Sequence, residues 1–195
     1  MQRFRTAAIG ASFLCAAVAA GAQGSGGVTP ARKARAAAPV ARAGQAAAPD
    51  SVKVNEFMSY DPVGKTVALK VLAAHGSVNG GLNFNGASNG GATITIPAGW
   101  TVAMAFTNED AIPHSAILLP NQMPFPAQPQ DPAIPRAYTV DVTAGLPTGK
   151  SDQSTFKASP AGQYLLACGV PGHAPSGMWI RLNVSADAKT PTYTK

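Results

Sequence analysis

The sequence is poor in charge and contains almost no cysteine. Charged residues make up 12% of its 195 residues, and the two cysteines are Cys15 and Cys168. Cys15 lies in a segment that we expect to be removed during export, which would leave one thiol and no internal disulfide. A lone thiol in an exported protein is open to oxidation or mispairing. Cys168 therefore requires a function, and metal ligation is one.

Negative charge is absent from the first part of the chain. Residues 1–49 contain no aspartate or glutamate, and their six basic residues account for the formal net charge of +6. Residues 50–195 carry nine basic and nine acidic residues and are formally neutral. A neutral domain behind a basic leader argues against a nucleic-acid-binding face and fits an exported protein.

The N-terminal segments lack the side chains of a folded core. Residues 1–22 are predicted to be a signal peptide, because basic residues precede an apolar run that ends in the small-residue pattern Ala20-Gly21-Ala22. The run is shorter than the roughly 20 residues of a spanning helix, and a retained N-terminal anchor is the alternative. Residues 23–50 are rich in Ala, Gly, Pro and Arg and are predicted to be a disordered linker. Residues 51–195 form the predicted domain, which we expect in a periplasmic or extracellular location, free or membrane-anchored.

Long helical patterns are absent after residue 50, and short alternating patterns take their place. Alternation of apolar and polar residues over 67–71, 93–96, 100–107, 138–142 and 179–184 predicts β-strands. Turns rich in Gly and Pro separate them. This spacing predicts an all-β protein, a β-sandwich or barrel of about eight strands, with enough residues for a core without disulfides.

One stretch rich in Gly and Pro holds three soft or borderline metal ligands. Cys168, His173 and Met178 follow one another at equal spacing, C-x4-H-x4-M, with three glycines and two prolines between them. This composition excludes a helix or a strand interior and predicts a turn-rich hairpin tip. Each of the three residues alone would more often be a core or loop residue. Their joint spacing on one loop of an all-β chain favours a metal site.

A closed site needs one more nitrogen ligand, and the chain has two further histidines. His114 stands at the start of a predicted strand, whereas His75 lies at the far end of the first strand. His114 is the better candidate, because a sandwich can bring loops of opposite sheets together at one end. A trigonal His2Cys plane with a long axial Met is the arrangement of blue-copper sites. Zinc is the competing metal, but a thioether is a poor zinc ligand, so Met178 favours copper.

Three segments carry a resemblance to known proteins. The stretch from Cys168 to Met178, together with Pro113-His114-Ser115, resembles the cupredoxins. The segment Leu82-Asn-Phe-Asn-Gly-Ala-Ser-Asn-Gly, followed by Ile94-Thr-Ile-Pro-Ala-Gly-Trp100, is similar to the sulfocyanin family of small blue copper proteins. The C-x4-H-x4-M spacing is also similar to that of rusticyanin.

The resemblance implies a cupredoxin-like Greek-key β-sandwich of eight strands and one type 1 copper. It also implies one-electron transfer outside the cytoplasm. The implied copper ligands are His114, Cys168, His173 and Met178. In cupredoxins the residue after the first ligand histidine commonly ties the two ligand loops together, so Ser115 is the first candidate for a supporting residue. Asn85 is the second.

The expected function is to carry single electrons, not to act as an enzyme, because no substrate-activating base, nucleophile or open coordination position is evident. The expected partners are redox proteins such as cytochromes or a terminal oxidase, met transiently by a monomer. Nucleic acid is not expected, and membrane association would be peripheral or N-terminal. Two alternatives are a copper carrier or chaperone on the same fold and a metal-free β-sandwich used for interaction.

Overall fold

The computed structural model describes residues 50–126 and 131–195. The predicted signal peptide at 1–22 and, except for Asp50, the predicted linker at 23–50 lie outside the described residues. Within them, no helix is long and apolar enough to cross a membrane. A single 3-10 turn spans Val78–Gly81. The strands of the described part are β1 (Val52–Lys53), β2 (Met58–Asp61), β3 (Thr66–Ala73), β4 (Thr93–Pro97), β5 (Thr101–Asn108), β6 (Ile117–Pro120), β7 (Ser151–Lys157), β8 (Gly162–Ala167), β9 (Trp179–Ser185) and β10 (Thr192–Thr194).

The strands form two five-stranded sheets, as expected for a β-sandwich. The first sheet has the order β1-β2-β3-β5-β7, and the second has the order β10-β4-β9-β8-β6. The pairs β3–β5 and β4–β9 are parallel, and the other pairs are antiparallel. The predicted all-β fold is confirmed. Across 50–126 and 131–195, ten strands replace the expected eight or so because β1 and β10, at two sheet edges, have only two and three residues.

The alternation of the central strands places one set of side chains between the sheets. Along β9, for example, Ile180, Leu182 and Val184 are buried, while Arg181 is exposed. The same alternation buries every second residue of β3 and the core-facing residues of β4 and β5. Each fully buried side chain of this size stabilises the fold by about 1.5–3 kcal/mol relative to leaving it in water. One main apolar cluster therefore joins the two sheets, and a smaller cluster contains Ile117, Leu119, Ala167 and Ala174.

The strand predicted over 138–142 is wrong. Residues 140–144 form turns, and Asp141 has a φ of 51°. Tyr138 and Val140 are 40% and 55% exposed, so two of the three apolar residues of the alternation face solvent. The polar Thr139 is the buried member, and its hydroxyl accepts a hydrogen bond from the backbone N–H of Ala116 at 3.1 Å. Backbone pairing is limited to one isolated antiparallel bridge, between Tyr138 and Ile117, and the Thr139 side chain adds to it, so the segment does not extend into a strand.

Candidate metal centre

The pairing of β6 with β8 brings two of the predicted ligands together. Ile117, at the start of β6, lies opposite Ala167, at the end of β8. The residues just before β6 and just after β8 are therefore neighbours at one end of the sandwich. His114 lies on the connection that enters β6, and Cys168 is the first residue of the turn that leaves β8.

Three side-chain atoms converge at this end. The Nδ1 atoms of His114 and His173 are 3.1 Å apart, and the Sγ atom of Cys168 lies 3.8 Å and 3.5 Å from them. His114 and Cys168 are buried, whereas His173 is partly exposed. The structure thus brings together three of the four residues that were predicted from the sequence as metal ligands.

The triangle fits a metal ion. A point equidistant from the three atoms lies about 2 Å from each of them, which is the length of a metal–imidazole bond. Lone pairs that face one another this closely repel unless a proton or a cation lies among them. Two imidazoles and one thiolate in a trigonal plane are the equatorial donors of a type 1 copper site.

Met178 is held against the same loop by its backbone. Its N–H donates to the carbonyl of His173 at 3.0 Å, and its carbonyl accepts from the N–H of Cys168 at 3.0 Å. Its side chain is fully buried in the apolar core cluster that also contains Cys168. This places a thioether on the buried side of the loop, which suits an axial ligand shielded from water.

Ser115 ties the two ligand loops together. Its hydroxyl donates to the carbonyl of Val142 at 2.6 Å and accepts from the N–H of Gly169 at 3.0 Å. Its own N–H points at Cys168 Sγ, 3.5 Å away. Gly169 has to be glycine here, since a Cβ atom would lie 2.2 Å from a methyl carbon of Val142.

The second supporting candidate occupies a different environment. Asn85 is fully buried, but its side-chain amide bonds the N–H of Leu72, the carbonyl of Lys70 and the hydroxyl of Tyr193. These bonds fix the loop after β3 and do not involve the three converging side chains. His75, the less favoured histidine of the sequence, bonds Glu109 at 3.0 Å on the surface.

Burial shifts the proton affinities of two predicted ligands. It raises the pKa of the Cys168 thiol above 9.0, although N–H groups of Ser115 and Val170 partly oppose the shift. Burial also lowers the pKa of His173 below 6.5, and the neighbouring His114 adds to this effect. At neutral pH, His173 is therefore a neutral imidazole and needs to lose no proton to bind a metal, whereas the thiol must lose one.

A carboxylate that was not predicted from the sequence lies behind His114. Asp110 Oδ2 is 2.9 Å from His114 Nε2, and the hydrogen bond from this imidazole is the main cause that lowers the pKa of Asp110 below 3.8. The pattern of residues 108–110 predicts only a turn. The spacing of an acid four residues before a candidate ligand histidine could have identified it, because ligand histidines commonly donate their second N–H to a carboxylate.

A two-sheet β-sandwich with a buried His2Cys cluster at one end is the structure of a cupredoxin-type metal protein. Comparisons with known proteins agree. The sulfocyanin (SoxE) domain model matches residues 53–195. A sulfocyanin from Sulfolobus acidocaldarius is 36% identical over 140 residues, which cover 68% of this chain and 70% of that protein.

Solved structures agree with this assignment. A histidine-to-methionine variant of rusticyanin superposes with a TM-score of 0.53 at 28% identity, covering 70% of this chain and 88% of that chain. Another structure of rusticyanin variants gives a TM-score of 0.52 at 28% identity, covering 70% and 87%. The chain therefore belongs to the sulfocyanin family, and the predicted cupredoxin-like Greek-key sandwich is confirmed. Its cofactor is one copper ion, in agreement with the soft donor set.

Proposed function

We propose that this protein carries single electrons on one type 1 copper ion held by His114, Cys168, His173 and Met178. The observation that carries the proposal is the convergence of two Nδ1 atoms and one thiol sulfur within 3.8 Å of one another. The two imidazoles, the thiolate and the Met178 thioether would hold the ion and would supply the soft donor set that suits copper. The bound copper supplies a one-electron Cu(II)/Cu(I) couple.

The protein holds these donors in nearly one geometry, which favours fast electron transfer. Backbone hydrogen bonds at both ends of the Cys168–Met178 turn, together with the Ser115 bridge, restrict movement of the ligands. The buried core behind Met178 keeps water away from the thiolate. Little reorganisation is then needed between the two oxidation states.

His173 is the proposed exit and entry point for electrons. It is the partly exposed member of the cluster, and Pro171 and Pro175 beside it are exposed. Ile112, on the loop that carries His114, is 46% exposed. Ala174, in contrast, is only 6% exposed and contributes little to this rim. An apolar rim around a redox site suits weak, transient docking.

The proposed partners are redox proteins such as cytochromes or a terminal oxidase, met by a monomer outside the cytoplasm. The leader-like residues 1–22 support a periplasmic or extracellular location. The alternative is that this segment is retained and anchors the protein to the membrane. The formal neutrality of residues 50–195 supports short-lived encounters over permanent assembly. We propose the role of a carrier and not of an enzyme.

The test is to add Cu(II) to the purified protein and to record its visible absorption and EPR spectra. An intense thiolate-to-copper band with a narrow copper hyperfine splitting is the expected result. Cys168→Ser should remove the band, whereas Ser176→Ala, an exposed position on the same loop, should keep it. A colourless wild-type protein, or a band that survives in Cys168→Ser, would contradict the proposal.

A further inference from the structure

The His114 imidazole is held from both sides. Its Nδ1 faces Cys168 Sγ and His173 Nδ1, and its Nε2 lies 2.9 Å from Asp110 Oδ2. The ring is completely buried, whereas the Asp110 side chain is 23% exposed. Asp110 therefore lies between the buried ligand and solvent.

This arrangement selects one tautomer of His114. A metal bound through Nδ1 needs the lone pair on that nitrogen, so the ring proton must be on Nε2. A carboxylate is an acceptor only, and it holds that proton on Nε2 by accepting its hydrogen bond. The bond also fixes the rotation of the ring. Because Nε2–H is held by Asp110, Nδ1 on the other edge of the imidazole stays directed towards Cys168 and His173.

The carboxylate itself is fixed by the turn that carries it. The N–H of Ala111 donates to Asp110 Oδ1 at 2.6 Å, and the N–H of Asp110 donates to Asn108 Oδ1 at 2.9 Å. The amide nitrogen of the buried Asn108 donates in turn to the carbonyls of Ile112 and Leu146, at 2.8 Å and 2.9 Å. The turn is thus anchored by protein hydrogen bonds, including one to Leu146, whose backbone also pairs with that of His114.

The neighbouring loop leaves room for Asp110. A Cβ atom on Gly81 would lie 2.8 Å from Asp110 Oδ2, so a side chain there would displace the carboxylate. Gly81 has a φ of 94°, in the region that favours glycine. The Asn108 turn therefore holds the carboxylate on the Nε2 side of His114, and the Val78–Gly81 turn leaves the space that it occupies.

We propose that Asp110 is a positioning residue that keeps His114 in its metal-binding tautomer and lowers the reduction potential of the copper. A fixed negative charge behind a ligand stabilises the more highly charged Cu(II) state over Cu(I). The proposal rests on the ligand role of His114 given under the proposed function. The lower reduction potential is attributed to the negative charge on Asp110, and the choice of tautomer to the hydrogen bond that Asp110 accepts.

The adjacent acid provides a matched control. Glu109 is 40% exposed at its side chain and bonds His75 at 3.0 Å, not a predicted ligand. Removing its charge changes the net charge of the protein as much as removing that of Asp110. Any difference between the reduction potentials of Asp110→Asn and Glu109→Gln therefore reports the position and burial of the removed charge, not the change in net charge.

The experiment is a spectroelectrochemical titration of the copper-loaded protein and of both variants. Asp110→Asn should raise the ratio of Cu(I) to Cu(II) affinity about tenfold, which is about 59 mV for a one-electron couple. Glu109→Gln should change the ratio by less than about twofold, because its charge is screened by solvent. Asp110→Asn keeps an oxygen that can accept from Nε2–H, so its blue band should persist.

A second measurement on the wild-type protein needs no substitution. In the Cu(I) form, NMR should show the Nε2–H proton of His114 far downfield and in slow exchange with water. Absence of this resonance would overturn the tautomer assignment. If Asp110→Asn keeps the blue band but has a reduction potential equal to or lower than that of Glu109→Gln, only the proposed effect of Asp110 on the potential is overturned. A wild-type protein with no blue band would instead contradict the proposed function.

Discussion

Cys168 shows how one residue combines burial with reactivity. Burial makes its thiol a weaker acid than usual, which protects it from oxidation while no metal is bound. The same burial means that the thiolate forms only when a cation compensates its charge. If Cys168 is a ligand as proposed, the proton and the copper ion compete for its sulfur atom.

The first prediction concerns this competition. Because the pKa of Cys168 lies above 9.0, copper binding at neutral pH should release about one proton from the thiol. The apparent copper affinity should rise roughly tenfold per pH unit between about pH 7 and 8.5, where the thiol is protonated and His173 is neutral. Competition with a chelator of known affinity, at several pH values, measures this slope. A pH-independent affinity would mean that Cys168 is not deprotonated on binding.

The second prediction concerns the axial position. Met178→Leu should keep the blue colour, because the equatorial donors remain, and should shift the potential upward, because the thioether no longer donates to Cu(II). Met104→Leu is the control, since Met104 is also buried but lies in β5. A potential that is unchanged in Met178→Leu would show that Met178 is not the axial ligand.

At the scale of elements, the turn between β8 and β9 depends on the irregular segment that follows residue 138. Val142 supplies both the carbonyl that accepts from Ser115 and the methyl group that packs on Gly169. The segment contributes no strand, yet it closes the outer side of the copper loop. The alternation in its sequence indicated neither its conformation nor this contact.

The third prediction tests this close approach. Gly169→Ala should destabilise the protein by about 1–3 kcal/mol, because the new methyl group overlaps Val142. It should also weaken copper binding, since Gly169 follows the thiolate directly. Gly162→Ala is the control, as its Cβ would meet nothing closer than 3.3 Å and its residue is exposed. Denaturant unfolding of the metal-free proteins measures the difference, and equal midpoints would refute the overlap.

The elements that could be predicted from the sequence are those with a buried face. β3, β4, β5 and β9 alternate because one face of each lies in the core. β1 and β10 are short edge strands, and pairing with one neighbour holds them without such a pattern. The C-x4-H-x4-M loop could be found because its ligands are local in sequence. Asp110 was missed because residues 108–110 indicate only a turn, although its position four residues before the candidate ligand His114 could have identified it.

At the scale of the whole molecule, charge is separated along the chain. The basic residues of 1–49 contrast with a formally neutral remainder, and the exposed residues that flank His173 in the loop, Pro171, Gly172, Pro175 and Ser176, are all uncharged. Association through that surface should therefore rely on apolar contact more than on long-range attraction.

The fourth prediction follows from this neutrality. The electron self-exchange rate between two molecules, measured by NMR line broadening, should change by no more than about threefold between roughly 0.01 and 0.5 M salt. The matched control is the same measurement after Ile112→Lys, which adds charge to the rim and should introduce a steep salt dependence. A steep dependence in the wild-type protein would show that charges outside the rim govern the encounter.

The parallel pairing of β4 with β9 affects the order in which the second sheet and the copper loop form. The guanidinium of Arg181 donates to the carbonyl of Gly90, 91 residues earlier, and β4 cannot join its sheet before β9 arrives. Contacts this distant in sequence form late in folding. The copper loop lies immediately before β9, so the binding site is completed only after the chain has been synthesised as far as Met178. A chain synthesised only as far as β8 has no finished site, so copper binding should follow the addition of β9 to the sheet.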